Sequence, residues 1–231
     1  MSEKNLYSTY NLSFRDYLNQ VFMTMGLGLL ISALSSLICN KLFAILPPQI
    51  IPTIFLAAIV IELIVALVFS TKLMDMSKTT AWFCYIFYSV LTGVTLSFVL
   101  EIYTASSAFM AFVSTIILFV CMAIIGHTTK ADLSKFGPLL SVGLISIIIS
   151  SLVNAFIFHS QAFDMIICYV GIIVFLGLIA YDVRKLRDLY NHGLNDDILA
   201  EKLMVYGAFQ LYLDFINLFL RLLQVFGKRR D

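Results

Sequence analysis

Seven transmembrane helices in an all-α, polytopic membrane protein are what this chain predicts, and three observations carry the prediction. Of its 231 residues, 61% are hydrophobic and only 13% charged, whereas a soluble domain is about 25% charged. Mean hydropathy is +0.96, which leaves too little polar surface to cover a globule in water. The apolar residues also gather into seven runs, each close to the ~20 residues a helix needs to cross the hydrocarbon core. Barrel strands would instead read as short alternating segments.

In order, the predicted spans are residues 18–38, 50–70, 81–100, 105–126, 136–158, 163–184 and 203–226. Turn chemistry or charge separates them: Pro47-Pro48, Thr71 to Thr80, Glu101 to Thr104, His127 to Lys135, His159 to Ala162, and Lys185 to Lys202. A polar segment over 1–17 precedes the membrane domain at 18–226, and a basic tail at 227–231 follows it. The leading segment has no short basic stretch running into a cleavable apolar one, so the first span is expected to target the chain. Twenty Phe and eleven Tyr suit helix packing and interfacial anchoring.

Loop charge sets orientation. With the N-terminus cytoplasmic, that side holds Lys4, Arg15, Lys72, Lys78, Lys130, Lys135, Arg184, Lys185, Arg187 and Lys202. The opposite side holds Lys41 and a tail with Arg221, Lys228, Arg229 and Arg230. The tail runs against the bias. Either the other helices dominate and the last segment spans in full, which is the expectation, or that segment is re-entrant. A net charge of +1 supplies no field to recruit nucleic acid. Cys39, Cys84, Cys121 and Cys168 show neither CxxC nor metal-ligand spacing and read as packing residues. His127, His159 and His192 read as loop residues, so no tightly bound metal and no cofactor are expected.

Two carboxylates stand where lipid-spanning helices should be apolar. Insertion scales put an Asp at mid-membrane near ~2.5–3.5 kcal/mol, so Asp182 and Asp214 read as functional. On a helix Gly207, Gln210, Asp214, Asn217, Arg221 and Gln224 recur at spacings of three and four, one polar stripe on an apolar rod. Such a stripe must face protein or water. Asp214 lies ~16 Å along the axis from Leu203. Asp182, in Tyr181-Asp182-Val183-Arg184-Lys185, sits near a helix end or in a helix prolonged past the membrane. If the two carboxyls meet, they repel as anions and share a proton as a coupled pair. Otherwise each pairs with a base, Asp182 with one of those at 184–187 and Asp214 with Arg221. Glu62, in Ile-Val-Ile-Glu-Leu-Ile-Val, has no charge within a helical turn. It is expected to face the interior, as a pathway acid or hydrogen-bonded to a neighbouring helix. Glu101 reads as interfacial and Asn154 as a packing hydrogen bond.

At Gly177-Leu-Ile-Ala-Tyr-Asp182 and Leu211-Tyr-Leu-Asp-Phe-Ile-Asn-Leu-Phe-Leu220 the chain resembles the Bax inhibitor, or transmembrane Bax inhibitor motif, family. The second block is highly specific, Tyr-Asp alone is weak, and the resemblance spans essentially the whole chain. It implies a last helix at the centre of six others and a pH-sensitive calcium leak. Asp182 and Asp214 would be a di-aspartyl proton sensor, with Glu62 along the ion pathway, to which the polar stripe of the last helix adds Asn217. In bacterial members a base at the cytoplasmic end of the second helix latches to the Tyr-Asp aspartate. Here Lys72 holds that place, a point donor without the bidentate clamp of arginine; Arg221 is the other candidate latch. The implied setting is a bacterial inner membrane, with the lipid bilayer, calcium ions and protons as partners and regulatory membrane proteins besides. Two rivals use the same acids. An intramembrane aspartyl protease would need Gly-x-Gly before the second acid, where this chain has Leu211-Tyr212-Leu213. A proton-coupled secondary transporter would show inverted repeats and broken helices, and neither is visible.

Overall fold

A computed structural model describes residues 13–129, 131–193 and 197–230. Seven long helices account for nearly all of them: α1 (Phe14–Phe43), α2 (Ile51–Lys72), α3 (Lys78–Ile102), α4 (Ala105–Thr128), α5 (Gly137–Val153), α6 (Gln161–Gly193) and α7 (Asp197–Phe226). Each is long and apolar enough to cross a membrane, α5 together with the short turns that flank it. Lys4, Lys130 and residues 1–12 of the expected cytoplasmic segment lie outside the described residues, as does the side chain of His192.

Local chemistry explains the ends. Ser13 and Thr104 cap α1 and α4 through their hydroxyls, and Pro52 and Pro138 stand in the first turns of α2 and α5, where a missing N–H is harmless. Beyond α5 the chain widens into a π-turn over Asn154–Phe158, closed by His159 in the left-handed region at φ 49°. Asn154 holds this exit: its Nδ2 donates to Ser160 O (3.1 Å) and its Oδ1 accepts from Ser160 N (3.0 Å). Before α5, Asp132 accepts from Ser134, and those hydrogen bonds hold its carboxyl below the ordinary carboxylate range.

Helices α6 and α7 run well past the predicted 184 and 203, so most of the polar stretch between them is helical rather than loop. His127 and His192 fall in the last turns of α4 and α6, not in loops. Apolar periodicity ends at the membrane surface, but backbone hydrogen bonding continues into water; that is the reason for both differences.

The described residues form two compact units, with α6 and α7 contributing to both. The first takes the chain to Ile102 and adds Asp188–Tyr212. In it α1 packs on α3 through small residues. A Cβ on Gly93 would come 2.5 Å from Ser32 O. Ser32 Oγ donates to Ser89 O (2.7 Å), Ser35 Oγ to Val90 O (2.9 Å) and Tyr85 Oη to Thr24 O (2.8 Å). This is close packing of small residues with hydroxyls bonded across it. Phe69, Tyr85, Tyr88, Phe209 and Tyr212 fill the rest edge to face. At one end Lys78 pairs with Glu201 (2.5 Å), and Lys202 donates to Met76 O (3.0 Å).

The second unit holds Tyr103–Arg187 and the chain from Leu213. Glycines set its helix spacing: Gly126 lies against the Ala180 backbone, Gly137 against Tyr181 and Gly177 against Leu140. Phe215 packs edge-on to Phe112 and Phe119. The basic tail is tied down: Thr104 N donates to Lys228 O (3.0 Å), Lys228 N donates to Ser107 Oγ (2.9 Å), and Tyr103 and Arg229 form an isolated bridge. Helix α7 is unbroken to Phe226 and leaves its tail beside the α3–α4 connection. That is the geometry of a full span, not of a re-entrant one.

Glycine spacing gives a direct test. A Cβ on Gly126 would come 2.9 Å from the Ala180 Cα, whereas one on Gly26 would meet nothing within 4 Å. Gly126→Ala is expected to lower stability by ~1–3 kcal/mol through overpacking. Gly26→Ala, in an open helix interior, is expected to be neutral or stabilising by up to ~1 kcal/mol. Thermal unfolding in detergent micelles checks both.

Candidate functional site

Antiparallel halves of α6 and α7 position the acids of the second unit. Asp164 and Gln224 meet near one end, Gln224 Nε2 donating to Asp164 Oδ2. Next along, Cys168 Sγ donates to Arg221 O (3.2 Å), and Gly171 faces the Arg221 side chain. Farther along, the Asp182 and Asp214 carboxyls lie next to each other, close enough to interact directly. Asp214 is 5% exposed, and its buried Oδ2 receives no amide or hydroxyl hydrogen. Two neighbouring carboxyl groups can share a hydrogen bond only when one of them carries a proton.

The two arginines next to Asp182 make bonds elsewhere. Arg184 Nη1 donates to Thr129 O (3.2 Å), at the C-terminal end of α4, and Arg187 Nη2 lies 3.5 Å from His127 Nδ1. Both thereby meet the carbonyl end of a helix, where cations are favoured. Lys185 is the cation whose field reaches Asp182. Arg221 donates from Nη1 to Gln224 Oε1 (3.4 Å), so the Asp214–Arg221 ion pair considered from sequence is replaced by a bond one turn along the same stripe. Asn217 gives its amide hydrogen to Leu213 O (2.8 Å), which leaves its oxygen free of that bond. Lys72 is the last residue of α2 and belongs to the first unit.

Glu62 also belongs to the first unit. It is half-buried on α2, a helix with only 6% of its apolar window buried, and turns its carboxyl to α3. There Thr95 Oγ1 donates to Glu62 Oε1 at 3.0 Å. Thr92, Tyr88 and Tyr212 stand around the same carboxyl. Tyr212 Oη in turn lies 2.6 Å from Ser32 Oγ.

Sequence reading missed this hydroxyl shell, and Asp164 with it. Thr92 and Thr95 look like ordinary β-branched residues of an apolar run, although with Tyr85, Tyr88 and Ser89 they recur at spacings of three and four on one face. Asp164 stands in the first turn of α6, where an acid is unremarkable because it favours the helix dipole.

Comparison with known proteins agrees with this architecture. The family model described as "Inhibitor of apoptosis-promoting Bax1" matches residues 14–231. The chain is 39% identical to the Inner membrane protein YbhL of Escherichia coli over 216 residues, covering 93% of this chain and 92% of that protein. It is also 39% identical over 222 residues to a protein of Borreliella burgdorferi, covering 93% of each. A Rickettsia prowazekii protein is 35% identical over 226 residues, covering 96% of this chain and 94% of its own length. With seven apolar helices and a match over nearly its whole length, the chain belongs to the Bax inhibitor-1 family of integral membrane proteins.

Proposed function

We propose that the protein is a pH-sensitive calcium leak channel of a bacterial inner membrane, with a cytoplasmic N-terminus and the Asp182–Asp214 pair as its gate. One observation carries the reading: two acids on different helices, one 5% exposed, brought next to each other. Loss of the shared proton leaves two anions in contact in a poorly solvated site. Their repulsion separates α6 from α7 locally, and regaining the proton draws them together. A one-proton event thus biases two packings of the same helices.

Calcium fits the donors on offer. It is a hard cation that takes oxygen ligands, and the Asn217 oxygen supplies one on the helix that carries Asp214, while Glu62 supplies a carboxylate in the first unit. Arg221, which shares its stripe with Asp214, is the cation of the second unit placed to latch the pair when it is charged. Hydrolysis is disfavoured by the backbone. Helix α7 is unbroken through Leu211-Tyr212-Leu213-Asp214, so no extended segment opens beside the acids to receive a peptide.

Calcium flux into proteoliposomes, followed across pH, tests the reading. Asp214→Asn and Asp182→Asn are each expected to flatten the pH response by about tenfold, the equivalent of ~1.4 kcal/mol of lost bias. Retention of the wild-type pH profile in Asp214→Asn would sink the gate. Glu62→Gln is expected to reduce flux at every pH while leaving the midpoint of the pH response in place; a shifted midpoint with full flux would assign Glu62 to the sensor instead.

A further inference from the structure

The second unit carries a cavity of about 290 Å³ that the Asp182–Asp214 pair does not touch. Asp164, Met165, Gln224 and Arg229 stand in its wall, with Tyr103 beside them. Helix α6 begins here and α7 ends here, so the cavity lies where two spans leave the hydrocarbon, at the depth of lipid headgroups. Along α6, Asp164 is ~27 Å from Asp182 at the usual rise per residue, nearly the ~30 Å thickness of the hydrocarbon core. The two acids therefore stand toward opposite surfaces of the membrane.

Asp164 and Arg229, the charged groups of this wall, face one cavity without meeting. Gln224 is fixed at both ends, its Oε1 accepting from Arg221 Nη1 (3.4 Å) and its Nε2 donating to Asp164 Oδ2. One amide hydrogen leaves the carboxylate most of its lone pairs. Arg229 is placed by the backbone. Gly227 turns the chain against Tyr103, where a Cβ would come 2.5 Å from the ring Cδ1, and the bonds of Lys228 to Thr104 and Ser107 hold the next residue. The Arg229 side chain makes no hydrogen bond and no ion pair among the described residues. A carboxylate and a guanidinium held apart across one cavity match a ligand that carries a charge of each sign.

The outer face of α6 narrows the class of ligand. Ile166, Tyr169, Val170 and Ile173 are each at least 47% exposed and recur at spacings of three and four, one apolar track along the helix. Met165, in the cavity wall, stands one turn before Tyr169 on the same side. A soluble zwitterion has no use for such a track, whereas an acyl chain does. We propose that the cavity binds the headgroup of phosphatidylethanolamine, with the phosphate on Arg229, the ammonium on Asp164 and an acyl chain along the α6 track. The planar fork of arginine suits phosphate oxygens, and the hydrogens of a primary ammonium suit the open lone pairs of Asp164. A choline headgroup has no N–H to give, and a glycerol headgroup brings an anion with no cation for the acid.

The test uses the full-length protein in detergent, titrated with phosphatidylethanolamine, phosphatidylcholine or phosphatidylglycerol of identical acyl chains, with bound lipid counted by native mass spectrometry. The wild type is expected to bind phosphatidylethanolamine about tenfold more tightly than phosphatidylcholine, the weight of one charge-assisted hydrogen bond. Asp164→Asn is expected to bring the two lipids within twofold of each other. Arg229→Gln, a change at an exposed side chain that leaves the fold intact, is expected to weaken both about tenfold while the preference between them persists. Equal binding of the lipids by the wild type, or a preference for phosphatidylglycerol, overturns the site. So does an Arg229→Gln variant that binds like the wild type. Displacement of the lipid by free glycerophosphoethanolamine at equal concentration makes the ligand a soluble zwitterion and overturns the lipid assignment. None of these outcomes bears on the Asp182–Asp214 gate.

Discussion

In hydrocarbon every polar group must find its partner inside the protein, and most of this structure follows from that one constraint. Backbone groups meet it by forming helices, and hydroxyls meet it in two ways. Thr115 bonds back to Ala111 O four residues earlier on its own helix. Ser32, Ser35 and Tyr85 instead bond across to carbonyls of the neighbouring helix, which is possible only where small residues let the backbones approach. Helix spacing and hydroxyl placement are therefore two sides of one arrangement.

The same constraint gives the acids their meaning. A carboxylate in such surroundings has three escapes: a base, a hydroxyl shell, or another carboxyl group with a proton between them. Glu62 takes the second, and Asp182 stands next to Asp214 as the third would need, while Arg184 bonds at the C-terminal end of α4. A salt bridge would hold the site in one state over a wide pH range. A shared proton would make the site's charge depend on its surroundings, which is the property the proposed gate uses.

One departure from the rule remains in the described residues at these sites, Asp214 Oδ2. It belongs to a cluster that also contains a second membrane-embedded acid. Ser151 Oγ is open as well, whereas the Asn154–Ser160 clasp and the tail bonded to Thr104 and Ser107 are closed. A polar atom left open beside an ionisable group is where a proton has something to gain.

Composition and run length alone determined the class, the number of helices and their approximate spans, because the thickness of a bilayer imposes a length and a polarity that any sequence must obey. The periodic stripe from Gly207 to Gln224 likewise marked Asp214 as inward-facing, since spacing of three and four places residues on one side of a helix whatever surrounds it. Tertiary structure decided the partners. Whether Asp182 would meet Arg184 or Asp214 turned on the register of α6 against α7, set by glycine and side-chain contacts between residues far apart in the chain. The shell of Thr92, Thr95, Tyr88 and Tyr212 around Glu62 depended on three helices meeting, and a hydroxyl in an apolar run carries no local sign of the acid it will face. Helix ends beyond the membrane were hidden for a related reason: hydropathy stops at the lipid boundary, whereas the backbone ladder of α6 and α7 does not.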